Sequence, residues 1–425
     1  MDRKDPRYEK YISILREELQ PAMGCTEPIS LAYASAKARA VLGSIPQSVT
    51  AEVSGNIIKN VKSVVVPHTG GGRGIQTAVA AGIVAGNEEA ELEVLSGISE
   101  EQVKDIEDYR NTAGIEVAYL DEGHIFDIRI TARKGQESAV VRITGNHTNI
   151  VLIKKDDTVI FEKEIAESSD DGMTDRSDLT IEGIVDFAET VDPYDVREIL
   201  ERQISFNMAI AEEGLANDYG ANIGSSLLEG HEDDINYRIR AYAAAASDAR
   251  MNGCEMPVVI NSGSGNQGIT SSVPVIVYAD HVNSSHDELL RALCVSNLVT
   301  IHLKTGIGRL SAYCVAVSAG CGAGAGIAWL QGGRFDKIAH TVVNSVAMIS
   351  GTICDGAKAS CAAKIASAVD AGLLGLKMYN SGNQFFGGDG IVKKGVENTI
   401  DNVGKLARLG MQQTDREIIR LMMDD

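Results

Sequence analysis

The feature that most constrains the fold is a change of hydrophobic period partway along the chain. "SVTAEVSG" (48–55), "AELEVLSG" (90–97), "GIEVAYL" (114–120), "IFDIRITAR" (125–133), "SAVVRITG" (138–145), "TNIVLIKKD" (148–156) and "TVIFEKEI" (158–165) alternate apolar and polar residues. That two-residue period belongs to strands with one face buried. Between them, 74–86 and 99–111 carry helical spacing, as do 8–20 and 28–42 upstream, where Pro28 suits a first helical turn. The alternation ends at the acidic stretch "AESSDDGMTDRSD" (166–178), read as a linker. Beyond it "SDLTIEGIVDFAETV" opens with a Ser/Asp cap, and 195–217, 234–251, 285–302, 308–331, 334–349, 360–378 and 392–409 read as helices. The pattern predicts an α+β fold in three parts. Residues 1–44 form an N-terminal helical segment that packs on the catalytic domain, 45–166 an α+β domain, and 167–425 a larger, mainly α-helical domain with six of the seven cysteines.

Charge excludes several classes of partner. Against 59 Asp and Glu stand 39 Lys and Arg, a net charge of −20, with no basic stripe to offset it. Nucleic acid and anionic membrane surfaces both require clustered cations, so neither is expected as a partner. The opening "MDRKDPRYEK" lacks the apolar core of a secretory signal. The uncharged run at 310–333 has the length of a membrane span, but Ser, Gly and Ala dilute it, and it reads as a tightly packed buried helix. A cytoplasmic location is the expectation, and there seven cysteines point to metal binding, catalysis or burial rather than disulfides. The eight histidines are too scattered for a zinc site, and His68 and His281 read as ordinary polar or packed residues. "PHTGGGRG" (67–74) lacks the Gly-Lys-Ser/Thr ending of a phosphate loop, so nucleotide binding is rejected in favour of a flexible entrance loop.

The pair in "CDGAKASC" (354–361) is the sharpest chemical signal. On one continuous helix the two thiols would stand about 10 Å apart along the axis. "CDG" is a turn signal, however, and "ASCAAKIASAV" a strong helix former. A helix starting near Lys358 would leave Cys354 in the preceding loop and Cys361 in the first turn. Both thiols then converge where free N–H groups favour anionic ligands, and a thiolate-held iron–sulfur cluster fits. Burial of both as core cysteines is the competing reading. A cluster needs at least a third ligand from Cys254, Cys294, Cys314 or Cys321. Cys294 lies in an apolar stripe and Cys254 in a turn-like segment, while Cys314 and Cys321 share the Gly/Ala-rich helix. Composition does not choose between those two.

The ordered motifs "PAMGCTEP" (21–28), "SGNIIKN" (54–60), "NSGSGNQGI" (261–269), "IGRLSAYC" (307–314) and "CDGAKASC" (354–361) resemble the iron–sulfur L-cysteine desulfidase family, which is related to the bacterial iron–sulfur L-serine dehydratases. The resemblance extends over most of the chain. It implies a [4Fe-4S] cluster on Cys314, Cys354 and Cys361, with Cys321 left as a helix-packing residue. The last ligand interval is shorter here than in the serine dehydratases. The tail "RLMMDD" offers no fourth cysteine, so one iron is left open, as a Lewis-acid catalyst requires and an electron carrier does not.

The implied reaction splits L-cysteine into pyruvate, ammonia and sulfide, with no pyridoxal phosphate. Cys25, at a helix start, is the favoured base, and Glu27 ranks second because a carboxylate there more often caps. Ser264, Asn266 and Gln267 in the Gly-rich "NSGSGNQG" suit an α-carboxylate or ammonium, with a plain turn as the alternative. Asn56, Asn380 and Ser381 are similar candidates. L-Cysteine is thus the expected small-molecule partner, and a homo-oligomer is possible. Competing readings are an L-serine dehydratase of the same mechanism, an iron–sulfur redox sensor, and a helical protein whose cysteines are merely buried.

Overall fold

The computed structural model describes residues 1, 3–23, 26–121, 124–165, 173–308 and 311–423. Cys25 and residues 166–172 of the acidic stretch therefore lie outside the described residues. The architecture is α+β, as the change of period predicts.

The first part runs α1 (Pro6–Glu18), β1 (Pro21–Met23), α2 (Thr26–Leu42), β2 (Ser48–Val53), α3 (Gly55–Val61), α4 (Gly74–Ala85), α5 (Glu100–Thr112), β3 (Gly114–Tyr119), β4 (Asp127–Lys134), β5 (Glu137–Thr144), β6 (Ile150–Lys155) and β7 (Thr158–Glu162). Strands β2 to β7 form one sheet in the order β3-β2-β4-β5-β6-β7. Among the described residues only β2 and β3 pair in parallel, and α3, α4 and α5 lie in the crossover between them. The buried face carries Val49, Ala51, Val53, Ile128, Ile130 and Ala132. These pack against α2 and α4 in one core.

The second part runs α6 (Ile181–Thr190), α7 (Pro193–Ala216), α8 (Ile223–Leu228), α9 (Ile235–Met251), β8 (Pro257–Val259), α10 (Gly265–His281), α11 (His286–Ile307), α12 (Val315–Leu330), α13 (Phe335–Ile349), α14 (Cys361–Asn380), α15 (Val396–Lys405) and α16 (Gln412–Met423). Helix α12 is buried along nearly its whole length and is wrapped by α10, α11, α13 and α14. Among the described residues no helix is long and apolar enough to cross a membrane.

The first 44 residues serve both cores. Tyr8, Tyr11, Ile12 and Leu15 of α1 are buried with the helices, whereas α2 belongs to the core under the sheet. Between them β1 pairs antiparallel with β8, from Pro21–Val259 to Met23–Pro257. The C-terminus closes the same seam. Ile419 of α16 is buried in the sheet core, and Asp415 forms an ion pair of 2.5 Å with Lys59 of α3, a residue only 2% exposed. That pairing satisfies an ammonium otherwise costly to bury.

Three local expectations are corrected. Residues 90–97 hold a 3₁₀ turn at Glu91–Glu93 instead of a strand. Val94 and Leu95 are both buried, which a strand cannot do with adjacent residues facing one core. The helix expected over 308–331 begins only at Val315, because Tyr313 is drawn into a backbone bridge with Ile353. Helix α10 was not expected, since Gly265, Gly268 and an internal Pro274 hide its periodicity.

Candidate functional site

Small residues set the geometry of the cysteines. Side-chain-sized space is missing between α12 and α14. A Cβ on Gly320 would stand 2.9 Å from the Ala368 Cβ, and one on Gly324 would stand 2.9 Å from the Gly372 Cα. Because 320 faces 368 and 324 faces 372, the two helices run parallel and begin at the same end. Cys314 is the N-cap of α12 and Cys361 the first residue of α14. They lie about 9 and 10.5 Å below the Gly320–Ala368 crossing at 1.5 Å per residue.

Backbone pairing brings in the third thiol. The Cys314 N–H donates to the Thr352 carbonyl (3.0 Å) and the Cys354 N–H to the Ala312 carbonyl (2.6 Å), on either side of the Tyr313–Ile353 bridge. The Cys361 thiol lies 3.5 Å from the Gly356 carbonyl within the intervening loop. That loop is seated on the other layer. Gly356 has φ +94°, and a Cβ there would stand 2.6 Å from the Lys59 carbonyl carbon.

Two cations attend the thiols. Lys358 and Lys364 both pair with Asp355, and the Lys364 ammonium also donates to the Ile353 carbonyl at 2.9 Å. Burial pushes the Cys314 thiol up to about 12, and the Cys354 and Cys361 thiols beside it push the same way. Burial also raises Cys361, against the pull of the Lys358 backbone and ammonium. Burial works to lower Lys364, but Asp355 and the Cys314 and Cys361 thiols outweigh it. Three thiols therefore sense one another and a shared lysine, at two helix N-termini.

Among the described residues no group of three His, Cys, Asp or Glu closes on a single metal ion. The donor set suits a multi-iron cluster better, because each thiolate then binds a different iron and the ligands stand further apart. Cationic lysines and helix N-termini favour the anionic ligands such a group requires. Cys294 and Cys321 are fully buried in the helical core, where burial pushes each up to about 12.

Beside this centre lies the start of α2. Of the two expected base residues, Cys25 is outside the described residues and Glu27 is in the first turn. The Asn60 amide donates to Glu27 Oε1 at 3.1 Å. Thr26 Oγ1 lies 3.5 Å from Glu27 Oε2 and 2.9 Å from His147 Nε2. Burial lowers the His147 imidazole, with the Glu27 charge opposing. Asn60 follows Lys59, whose carbonyl meets Gly356. Helix α3 thus stands between the carboxylate and the cysteine loop and touches both.

The expected substrate-binding residues divide. Asn56 is one turn before Asn60 on α3, but its amide donates to the Ile125 carbonyl at 3.1 Å. Ser264 caps α10, accepting from the Gln267 N–H. Gln267 is fully buried and donates to Asn261 at 3.0 Å. It belongs to a polar network with Gln203, Asn297 and Ser271 inside the helical core. Asn266, 9% exposed, accepts from Arg250 at 3.3 Å. Asn380 and Ser381 end α14, about 28 Å from Cys361 along the helix, and Asn380 donates to Gln331. They are not brought to the cysteines. His68 contacts Glu255 at 3.3 Å, so the Gly-rich loop joins the two layers. Asn60 and His147 were not legible in the sequence: Asn60 reaches Glu27 from 33 residues away, and His147 reaches Thr26 from 121.

The sequence profile of the serine dehydratase alpha chain family matches residues 89–420. The chain belongs to that family, whose setting is that of an iron–sulfur lyase. Full-length likeness is to proteins named UPF0597. One from Desulfitobacterium hafniense is 54% identical over 424 residues, covering 100% of this chain and 99% of that one. Another, from Lachnoclostridium phytofermentans, is 50% identical over 417 residues, covering 98% and 100%. A third, from Treponema denticola, is 47% identical over 425 residues, covering 99% of each.

Proposed function

We propose that the protein is an iron–sulfur L-cysteine desulfidase, eliminating sulfide from L-cysteine to leave pyruvate and ammonia. The observation that carries this reading is the meeting of three thiols at two parallel helix N-termini, with a carboxylate one short helix away. Cys314, Cys354 and Cys361 are the residues that would hold a [4Fe-4S] cluster. When bound, that group supplies a Lewis-acidic iron that draws charge from the departing sulfur. The rest is work for the chain's own side chains. Cys25, and Glu27 in the first turn of α2, are the groups for taking the α-proton. Asn60 holds one Glu27 oxygen and so orients the other. Lys358 and Lys364 offset the charge of the thiolates. Aminoacrylate, once released, tautomerises and hydrolyses in water unaided. The reading also takes the protein to be cytoplasmic.

The family description favours L-serine as a second reading. One experiment separates them. Anaerobically reconstituted protein is given L-cysteine or L-serine, and pyruvate and sulfide are assayed. Equal pyruvate and sulfide from cysteine, with little pyruvate from serine, is the expected result. Preferred turnover of serine would overturn the cysteine assignment, and no product from either would overturn the lyase.

A further inference from the structure

His147 sits in the turn between β5 and β6, where nothing in the local sequence marks it as chemical. The residue is held at three points, two of them on the ring. Nε2 lies 2.9 Å from Thr26 Oγ1, the His147 carbonyl accepts from Ser30 Oγ at 2.7 Å, and Phe126 packs edge-on at 4.7 Å between centroids. Thr26 and Ser30 belong to α2, and Phe126 precedes β4. Glu27 is the charged group that acts on the imidazole, and Thr26 Oγ1 lies between them. Asn60 completes the line by binding the other Glu27 oxygen at 3.1 Å. A purely structural histidine in a turn would need only its backbone contact to Ser30. Here the ring nitrogen is directed at the hydroxyl next to Glu27, the second of the two candidate bases.

We infer that His147 is the positioning and proton-holding partner of Glu27, acting through the Thr26 hydroxyl. This rests on the lyase reading, with Glu27 receiving the substrate α-proton. The protonated carboxyl donates to Thr26 Oγ1 while the Thr26 O–H donates to His147 Nε2. The carboxylate is thereby regenerated and the imidazole becomes imidazolium. The number of protons is conserved, and no other reactant is required. Burial keeps the imidazole neutral beforehand, the state that can accept.

The test has two arms. In the first, protein carrying ¹⁵N-labelled histidine is titrated by NMR as purified, with His147→Gln used to assign the resonance. His147 is expected to titrate below the ordinary histidine range, and Glu27→Gln to lower it further by removing the favourable charge. In the second arm, reconstituted enzyme is assayed. His147→Gln should lower kcat on the order of 100-fold, change KM little and move the acid limb of the kcat profile. Thr26→Ser, which keeps the hydroxyl, should recover most of the turnover that Thr26→Val loses. Thr26→Val should fall to the His147→Gln level, with the double variant no worse. An unshifted His147 titration in Glu27→Gln, or superimposable pH profiles for wild type and His147→Gln, would overturn the inference and leave the lyase assignment standing. A wild-type enzyme inert toward both amino acids would sink the lyase reading instead, while the titration still decides whether His147 and Glu27 act on one another.

Discussion

Gly356→Ala is the substitution that most directly tests whether the cysteine loop depends on the neighbouring layer. Two independent penalties meet there. Gly356 has φ +94°, outside the region an L side chain adopts at ease, and holding alanine there costs about 1–3 kcal/mol. The new methyl would also stand 2.6 Å from the Lys59 carbonyl carbon and 3.1 Å from its Cα, backbone atoms that cannot rotate away. Relief requires the loop or α3 to retreat by about an ångström, and overpacking of this kind costs about 1–3 kcal/mol. Together these amount to about 2–6 kcal/mol, a large part of a typical total of about 5–15. The displaced loop is the one that carries Cys354 and leads to Cys361. Urea unfolding and anaerobic iron content after reconstitution are the assays. Both stability and iron occupancy should fall. Gly351→Ala is the control, because that position has no atom within 4 Å and an ordinary φ. If Gly356→Ala matched Gly351→Ala in both measurements, the seating of the loop on α3 would be refuted as a requirement for the site.

The thiols have separable roles. Cys354→Ser and Cys361→Ser should each abolish stable iron binding after reconstitution, measured as iron per chain and visible absorbance, whereas Cys25→Ser should retain the iron and lose turnover. The Asp248 carboxyl is buried, and burial pushes it up to about 6 despite the Gly224 N–H at 2.9 Å. A carboxyl raised in the folded state contributes most below its unfolded value of 3.8, and that contribution is lost as pH rises through about 6. Asp248→Asn should therefore gain on wild type by about 1 kcal/mol between pH 5 and pH 8 in urea unfolding, and a gap that does not change with pH would refute the assignment.

The sheet was legible because its strands obey a simple rule. Ile128, Ile130 and Ala132 are buried, while Arg129 and Arg133 between and beyond them are more exposed. The same rule misfired at 90–97, where the alternation of letters does not match the alternation of burial. Helix α10 was illegible for the opposite reason. Residues 265–277 of it are buried on all sides, so Ser, Thr, Gly and Pro stand where a surface helix would show a polar stripe. Local composition also fails to measure distance. Asn380 and Ser381 resemble anchoring residues, yet one uninterrupted helix separates them from Cys361. The turn signal in "CDG" and the helix former after it did convey that Cys361 begins a helix, although the helix starts at Cys361 itself and not near Lys358.

What the sequence withheld was the reason Cys314 joins that pair. Spacing along the chain leaves Cys314 and Cys321 equivalent, since both belong to one Gly/Ala-rich run. The difference arises from the register in which two helices meet. Gly320 and Gly324 let α12 approach α14 in parallel, and this fixes both helix beginnings at one end of the domain. Cys314 stands at that end, while Cys321 is two turns inside, fully buried. Parallel neighbours also bring two sets of free N–H groups together, so the geometry that gathers the thiols sets helix termini against the burial that raises Cys314 and Cys361. The small residues of α12, read first as mere packing, thus decide which cysteines share a site. Replacing either glycine would act on the thiols through the helix axis without touching them.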